Sequence, residues 1–422
     1  MSVRGSTTAS ADGRSDTTPA GLVANVSRTH FAQLDGLRGL AILSVMLYHF
    51  FLPHVHFHGR EGSWWLQLAQ GGWLGVDLFF VLSGFLITGI LVETRTQTHY
   101  FRTFLVRRFL RIWPLYYASL VMLLVVLPLA LPAVPPQLQS MQDKQSWFWL
   151  YGANWLYAYE GGFNKTSGGY FWSLAVEEQF YLVWPIVVYA LSDRSLLRVS
   201  MALLGVSLLS RIGLAQLEVN TNALYTMTFT HLDGLAVGSC LALCIRSPKK
   251  TKLVLRWLPV TAASAAAGLV AVRLADGNLF YWSRHMATSG YSLAAILFGA
   301  LLFWVMSCRR TCGFGRLLSS SFMQQCGKYS YALYVVHVPV AAALFPRVSN
   351  ALKGFEAALG YDGVFFICVA ASFAASWLIA LLSWNLFEKR ILALKRYFNY
   401  EPTGADPPAV ATDRSAARTP RD

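Results

Sequence analysis

Charged residues are scarce in this sequence of 422 residues. Asp, Glu, Lys and Arg make up 13% of it, whereas 55% is hydrophobic and the mean hydropathy is +0.43. An ordinary soluble domain carries roughly 25% charged residues, so this composition excludes that class. Acidic residues are scarcer than basic ones, 21 against 35, which leaves a net charge of +14. The composition predicts a membrane protein.

Metal-binding patterns are also lacking. The six cysteines include Cys308 and Cys312, whose spacing suits zinc, but no second pair follows at metal-site spacing. His54, His56 and His58 alternate without a carboxylate or cysteine at a suitable spacing. We therefore expect no metal site.

Long hydrophobic runs, by contrast, are abundant. A helix needs about 20 mostly apolar residues to cross the hydrocarbon core. Such runs lie at approximately 32–52, 73–93, 112–131, 172–191, 199–217, 224–245, 257–272, 286–306, 329–346 and 361–384. They predict an all-α fold, a polytopic membrane helical bundle of about ten transmembrane helices.

Lys and Arg concentrate in alternate loops, for example at 102–111, 246–256 and 309–316, and again after residue 385. Because basic loops remain cytoplasmic, we expect both termini to be cytoplasmic. Contact with anionic lipid explains the net positive charge, so no nucleic-acid partner is expected.

The two ends of the chain differ in composition from the middle. Residues 1–29 are rich in Ser, Thr, Gly and Asp, and residues 397–422 in Pro, Ala, Asp and Arg. Neither segment holds enough apolar surface to fold, so both are predicted to be disordered cytoplasmic tails. Residues 30–396 are predicted to form one membrane domain, and no cleavable signal peptide is expected.

The first span carries three ionisable residues, in LDGLRGLAILSVMLYHF. Arg38 and His49 are eleven residues apart, which places them on one helix face about 16 Å apart along the axis. Asp35 precedes Arg38 by three residues and is placed to pair with it. Ionisable groups at bilayer depth mark candidate sites. His49 and Arg38 are therefore candidate catalytic residues, although an anchoring arginine and a structural histidine would give the same pattern.

The second span, WLGVDLFFVLSGFLITGIL, holds Asp77 near its outer end. A carboxylate in so apolar a segment requires a cation or a proton, which makes Asp77 a candidate catalytic residue. Ser83 and Gly84 follow inside the span. A pair of small residues favours close helix packing, and Ser83 is also a candidate donor-binding residue.

A dense group of arginines leads into the third span, in FRTFLVRRFLRIWPLYY. Arg107, Arg108 and Arg111 are candidate cofactor-binding residues, because guanidinium groups bind phosphate in a bidentate manner. Each arginine alone is also explained as a determinant of topology.

The fourth span begins with FWSLAVEEQFYL. Glu177 and Glu178 gain from the helix dipole near its N-terminus, which is a structural explanation. Since adjacent helical residues point 100° apart, we expect Glu178 to face water and Glu177 to face the bundle. Glu177 is thus a fourth candidate catalytic residue.

Two further segments, HLDGLAVG and SYALYVVHVP, bring His231, Asp233 and His337 into the bundle. Each residue alone is more often structural than functional, and their roles stay open.

Taken together and in this order, these segments resemble the membrane acyltransferase 3 family, whose bacterial members O-acylate surface and secreted glycans. The resemblance covers roughly residues 31–392. Its motifs are Arg38 with ten residues before His49, FFVLSGFLIT, RRFLRIWPLYY, WSLAVEEQFYL, LDGLAVG and SYALYVVHV. His231 departs from the family pattern, which often has Arg before the Leu-Asp pair.

The resemblance implies transfer of an acetyl or other short acyl group from cytoplasmic acyl-CoA, such as acetyl-CoA, to a hydroxyl of a saccharide or similar acceptor. It implies His49 as the catalytic histidine, with Arg38 as its motif partner and the arginines Arg107, Arg108 and Arg111 on the donor side. It also implies a multi-pass protein of the bacterial cytoplasmic membrane. A proton-coupled transporter and a non-catalytic glycan-export partner are the alternatives, because intramembrane His and Asp also build proton relays.

Overall fold

The computed structural model describes residues 32–58, 69–307 and 312–400, with only the backbone described at 52–58. The predicted tail 1–29, most of the predicted tail 397–422 and the side chains of His54, His56 and His58 lie outside this description. The described residues are all-helical, as the sequence predicts.

In the described part of the chain, several helices precede the fourth predicted span. They are α1 (Ala32–His58), α2 (Gly75–Thr94), α3 (Tyr100–Val121), and three short helices, α4 (Pro136–Asp143), α5 (Gln145–Trp149) and α6 (Ala153–Glu160). A π turn, Met122–Val126, extends α3 into the short helix Leu127–Ala130.

The second half contains the remaining helices: α7 (Phe171–Ala190), α8 (Asp193–Gln216), α9 (Thr221–Thr226), α10 (Asp233–Cys244), α11 (Pro248–Asp276), α12 (Tyr291–Ser307), α13 (Gly313–Leu318), α14 (Ser321–Leu352), α15 (Glu356–Ser383) and α16 (Lys389–Ala393). Helix α15 bends at Gly360, where a backbone φ of 67° suits glycine.

Seven described helical stretches are long and apolar enough to cross a membrane. They are Ala32–Phe51, Gly71–Thr94, Tyr100–Ala130, Asp193–Gln216, Pro248–Asp276, Met286–Ser307 and Ser321–Tyr397. The last stretch contains both α14 and α15, which correspond to two of the predicted spans. The predicted span 172–191 coincides with α7, which is not among the seven. The number ten and the orientation of the termini therefore stay predictions.

The predicted span 224–245 is not one helix. Helix α9 ends at Thr226, Met227 is extended with ψ of 141°, and a 3-10 turn, Thr228–Thr230, precedes α10. The polar side chains of Thr230, His231 and Asp233 are all buried at this break. Hydropathy alone could not show the interruption, since the segment is apolar on both sides of it.

Two helix crossings without intervening side chains fix the centre of the bundle. At the α2–α10 crossing, a Cβ on Gly84 would overlap the carbonyl oxygen of Leu235, and one on Gly238 would overlap that of Val81. At the α1–α14 crossing, Gly327 lies against the backbone of Asp35 in the same way. Small residues permit such close approach in membrane bundles, as predicted for Gly84.

Candidate functional site

A cavity of about 120 Å³ opens between α1, α2, α3, α7 and α14. It brings together five of the eight candidate site residues: Arg38, Ser83, Arg108, Arg111 and Glu177. Aromatic and hydroxyl side chains complete its wall, among them Ser173, Tyr181, Ser330, Tyr331 and Tyr334. The other three candidates, His49, Asp77 and Arg107, do not line it.

Three arginines give the cavity its positive charge. Arg38 pairs with Asp35, with 3.0 Å between Nη1 and Oδ1, so the predicted pair forms. Arg108 lies over the rings of Phe104 and Tyr181, 5.8 and 5.7 Å from their centroids. Among the described side chains, no carboxylate lies within ion-pair distance of Arg108 or Arg111. Such a cluster favours an anionic ligand.

Arg107 is turned away from the cavity. Its Nη1 donates to the carbonyl oxygens of Phe398 at 2.8 Å and Lys395 at 3.3 Å, and its guanidinium lies 6.0 Å from the ring of Tyr400. Adjacent residues of a helix point about 100° apart, so Arg107 and Arg108 reach different surroundings. Arg107 holds the segment after α16 against α3.

Of the two roles considered for this pair, Gly84 has the packing role and Ser83 stands at the candidate donor-binding position. Gly84 packs against α10, whereas Ser83 faces the cavity and hydrogen-bonds the hydroxyl of Tyr181. Glu177 lines the cavity beside these two groups.

The expectation that Glu178 faces water is wrong. Glu178 is 6% exposed, and its Oε2 accepts a 2.9 Å hydrogen bond from Nε1 of Trp113 on α3. Because α7 lies between other helices, both carboxylates face protein, one towards the cavity and the other towards α3.

His49 meets a second histidine rather than a carboxylate. Its Nδ1 lies 3.1 Å from Nε2 of His337 on α14 and 3.0 Å from the carbonyl oxygen of Val45. His337 is fully buried. The cavity residue Tyr334, one turn before His337, donates a hydrogen bond to the carbonyl of Tyr170. The histidine pair therefore adjoins the wall of the cavity.

Asp77, which the sequence predicts to need a cation or a proton, pairs with His231. Oδ1 of Asp77 lies 3.1 Å from Nε2 of His231, and each side chain is 1% exposed. Rings of Phe80, Trp172 and Tyr291 enclose the imidazole with centroid distances of 5.4, 5.2 and 4.9 Å. Asp77 is thus the partner of His231, a residue whose role the sequence left open.

A buried ion pair closes the break between α9 and α10. Arg211 of α8 binds Asp233 through two hydrogen bonds of 2.9 and 2.7 Å, and neither side chain is more than 2% exposed. Arg211 also donates to the carbonyl of Thr288 at 2.8 Å and to Ser292 at 2.7 Å. These bonds satisfy a charge that would otherwise be costly at bilayer depth.

Sequence reasoning missed several residues of the site. Tyr181, Tyr334 and Ser173 line the cavity but carry no signal beyond ordinary polarity in an apolar run. Ser173 and Tyr334 hydrogen-bond at 2.5 Å, which links α7 to α14. Arg211 could have been recognised from the sequence, because it is a charged residue within a predicted span and the motifs offer it no partner.

Within the described ranges, no three His, Cys, Asp or Glu side chains come close enough to hold a metal ion. The three alternating histidines at 54, 56 and 58 lie outside the described side chains.

Comparison with known proteins finds O-acetyltransferases among the relatives of this chain. The chain is 28% identical over 388 residues to "Peptidoglycan O-acetyltransferase OatA" of Listeria monocytogenes, covering 86% of this chain and 56% of the relative. It is 31% identical over 323 residues to "O-acetyltransferase OatA" of Staphylococcus aureus, covering 73% of this chain and 50% of the relative. The chain therefore spans about half the length of these curated relatives. No solved structure matches it.

The family model described as "Acyltransferase domain" matches residues 31–381. That range runs from the start of α1 almost to the end of α15 and contains every residue of the cavity. The arrangement around the cavity is thus a property of the matched region, and the chain belongs to the acyltransferase 3 family.

Proposed function

We propose that this chain is a membrane O-acyltransferase, which moves an acetyl or other short acyl group from cytoplasmic acyl-CoA to a hydroxyl of a surface or secreted saccharide. Its proposed place is the bacterial cytoplasmic membrane. The single observation that carries the proposal is the cavity in which Arg38, Arg108 and Arg111 gather within a bundle of the acyltransferase family.

The arginines support an acyl-CoA donor. Coenzyme A carries several phosphate charges on its nucleotide and cannot cross the bilayer, so its binding groups must be cationic and reachable from the cytoplasm. Arg108 and Arg111 lie in the N-terminal half of α3, next to the loop that its basic residues predict to be cytoplasmic. They supply the phosphate contacts in this proposal, and Arg38 extends the positive charge towards α1.

The rest of the wall suits the arm that carries the thioester. That arm contains amide groups that donate and accept hydrogen bonds. Glu177 and Ser83 line the cavity with an acceptor and a hydroxyl, and we assign them contacts with the arm. Asp77 is assigned no step, since His231 occupies its described hydrogen bond.

His49 is the proposed base. Its ring takes the proton of the acceptor hydroxyl as that oxygen attacks the thioester carbonyl. The carbon–sulfur bond then breaks, and the proton passes to the sulfur, so the products are the ester and free coenzyme A. A positioned base of this kind contributes about 10²- to 10⁴-fold to the rate.

The acceptor is proposed from the relatives alone. One of them is named as acting on peptidoglycan, a glycan of alternating amino sugars. We propose a cell-envelope glycan as the acceptor class.

The broken segment between α9 and α10 favours one alternative, a proton-coupled transporter. Interrupted helices with buried ionisable residues often form transport sites, and His231, Asp233 and Arg211 are such residues. Proton flux in proteoliposomes without any acyl donor would support that function over acyl transfer.

The test of the proposed function uses purified full-length protein in nanodiscs with radiolabelled acetyl-CoA and soluble peptidoglycan fragments. We expect label on the glycan with the wild type and less than a few per cent of it with His49→Ala, recovered at a normal level. Undiminished transfer by His49→Ala would remove His49 from the mechanism.

A further inference from the structure

The contact between His49 and His337 is unusual, because two imidazoles from different helices share one hydrogen bond inside the bundle. The ring centroids are 4.9 Å apart at an interplanar angle of 68°, so the rings meet edge to face and do not stack. In such a contact one nitrogen donates and the other accepts.

The backbone of α14 determines which nitrogen of His337 carries the proton. Its Nδ1 lies 2.8 Å from the carbonyl oxygen of Tyr334 and 3.0 Å from that of Leu333. A carbonyl only accepts, so Nδ1 is the N–H of the ring. A second proton would place a charge on a fully buried side chain whose described partners include no carboxylate. Nε2 of His337 therefore keeps its lone pair.

The proton on His49 follows from this. Since Nε2 of His337 accepts, Nδ1 of His49 donates. The carbonyl oxygen of Val45, 3.0 Å from the same Nδ1, requires a proton at the same place. Two acceptors on different helices thus assign one tautomer, in which Nε2 of His49 has the free lone pair.

We propose that His337 is a positioning residue, which holds His49 in the tautomer whose Nε2 accepts the proton of the acceptor hydroxyl. The proposal rests on the proposed function, because it names the group that prepares the base of that reaction. A carboxylate usually has this role beside a catalytic histidine. Here a neutral histidine fixes the tautomer without adding a negative charge at bilayer depth.

Two substitutions separate hydrogen bonding from packing. In His337→Gln, the side-chain Oε1 stands near the position of Nε2 and still accepts, whereas His337→Leu fills similar space and cannot. We expect kcat for acyl transfer to fall about tenfold or more in His337→Leu, with KM for acetyl-CoA unchanged. His337→Gln should recover most of kcat, and Val338→Ala on the same helix is the packing control.

The tautomer itself is measured by nitrogen NMR on protein labelled with ¹⁵N-histidine in nanodiscs, with the His49 signals identified by their loss in His49→Ala. We expect the Nδ1–H form of His49 in the wild type and in His337→Gln. In His337→Leu the carbonyl of Val45 remains but the second acceptor is lost, so we expect a measurable share of the Nε2–H form beside the Nδ1–H form. A merely structural role of His337 would not change this ratio.

An Nε2–H form of His49 in the wild type would overturn the inference, as would equal kcat in the Leu and Gln variants. If His337→Leu does not fold, the wild-type and His337→Gln spectra still decide. If instead the wild type transfers no acyl group, the proposed function fails, while the tautomer measurement still shows whether His337 positions His49.

Discussion

At the scale of the residue, the decisive distinction is between charges that have an oppositely charged or hydrogen-bonded partner and charges with no carboxylate at ion-pair distance in the described part of the chain. Arg211 and Asp233 form a buried bidentate pair, and Asp77 is bonded to His231. Arg108 and Arg111 differ, because both line the cavity and no described carboxylate lies within ion-pair distance of either. Paired charges stabilise the bundle, whereas the unpaired arginines are suited to a ligand.

This distinction predicts the effect of removing one arginine from the cavity. We expect Arg108→Ala or Arg111→Ala to raise KM for acetyl-CoA about 10- to 100-fold, because a hydrogen bond to a charged group contributes roughly 1.5 to 3 kcal/mol. The change in kcat should be smaller, since contacts with the nucleotide are the same in the ground state and the transition state. Steady-state kinetics with varied acetyl-CoA measure both.

Arg102→Ala serves as the matched control, since Arg102 is exposed on the same helix and lies over the ring of Phe398. An unchanged KM in the two cavity variants, with protein inserted in the wrong orientation, would mean that these arginines determine topology and that the donor binds elsewhere.

Helical spacing predicts which site residues share a helix face and which pair within one helix. It does not predict the pairs between different helices. The i,i+3 pair of Asp35 and Arg38 forms as expected, because both residues belong to one helix. The partners of His49 and Asp77 come from helices far away in sequence. Periodicity shows which face a residue occupies, but not which helix packs against that face.

At the scale of the element, backbone contact at two crossings sets where the site residues stand. Gly84 lies beside Ser83, so the contact of α2 with α10 fixes the direction in which the Ser83 hydroxyl points. In the same way, the contact of α1 with α14 brings His49 opposite His337.

A methyl group at the α2–α10 crossing should therefore disturb the fold. We expect Gly84→Ala to destabilise the protein by about 1 to 3 kcal/mol, because its Cβ meets the backbone of Leu235 and no flexible side chain can yield. Thermal unfolding in detergent measures the change.

Gly205→Ala in α8 is the matched control, because nothing lies within 4 Å of a Cβ at that position. Alanine favours a helix over glycine, so we expect this variant to be neutral or more stable by about 0.4 to 1 kcal/mol. Equal loss of stability in both variants would show that the crossing is not especially tight.

At the scale of the whole molecule, donor and acceptor lie on opposite sides of the bilayer in the proposed reaction. The arginine end of the cavity adjoins the loop predicted to be cytoplasmic, and His49 follows Arg38 by about three helical turns along α1. Hydropathy and charge predicted the helical membrane class, since these properties belong to whole segments. They could not predict the break before α10, where the buried pairs of Arg211 and His231 lie.

The sidedness of acyl transfer tests this account most directly. The protein is reconstituted in one orientation, which is established in a variant without native cysteines by labelling single cysteines at the exposed positions Asn164 and Lys249 with an impermeant maleimide. Asn164 is predicted to lie outside and Lys249 inside. Radiolabelled acetyl-CoA is then supplied on either side, with peptidoglycan fragments on the Asn164 side.

The proposed sidedness predicts labelled glycan only when acetyl-CoA is on the Lys249 side, and none with His49→Ala. Equal labelling with acetyl-CoA and glycan both confined to the Asn164 side would contradict it.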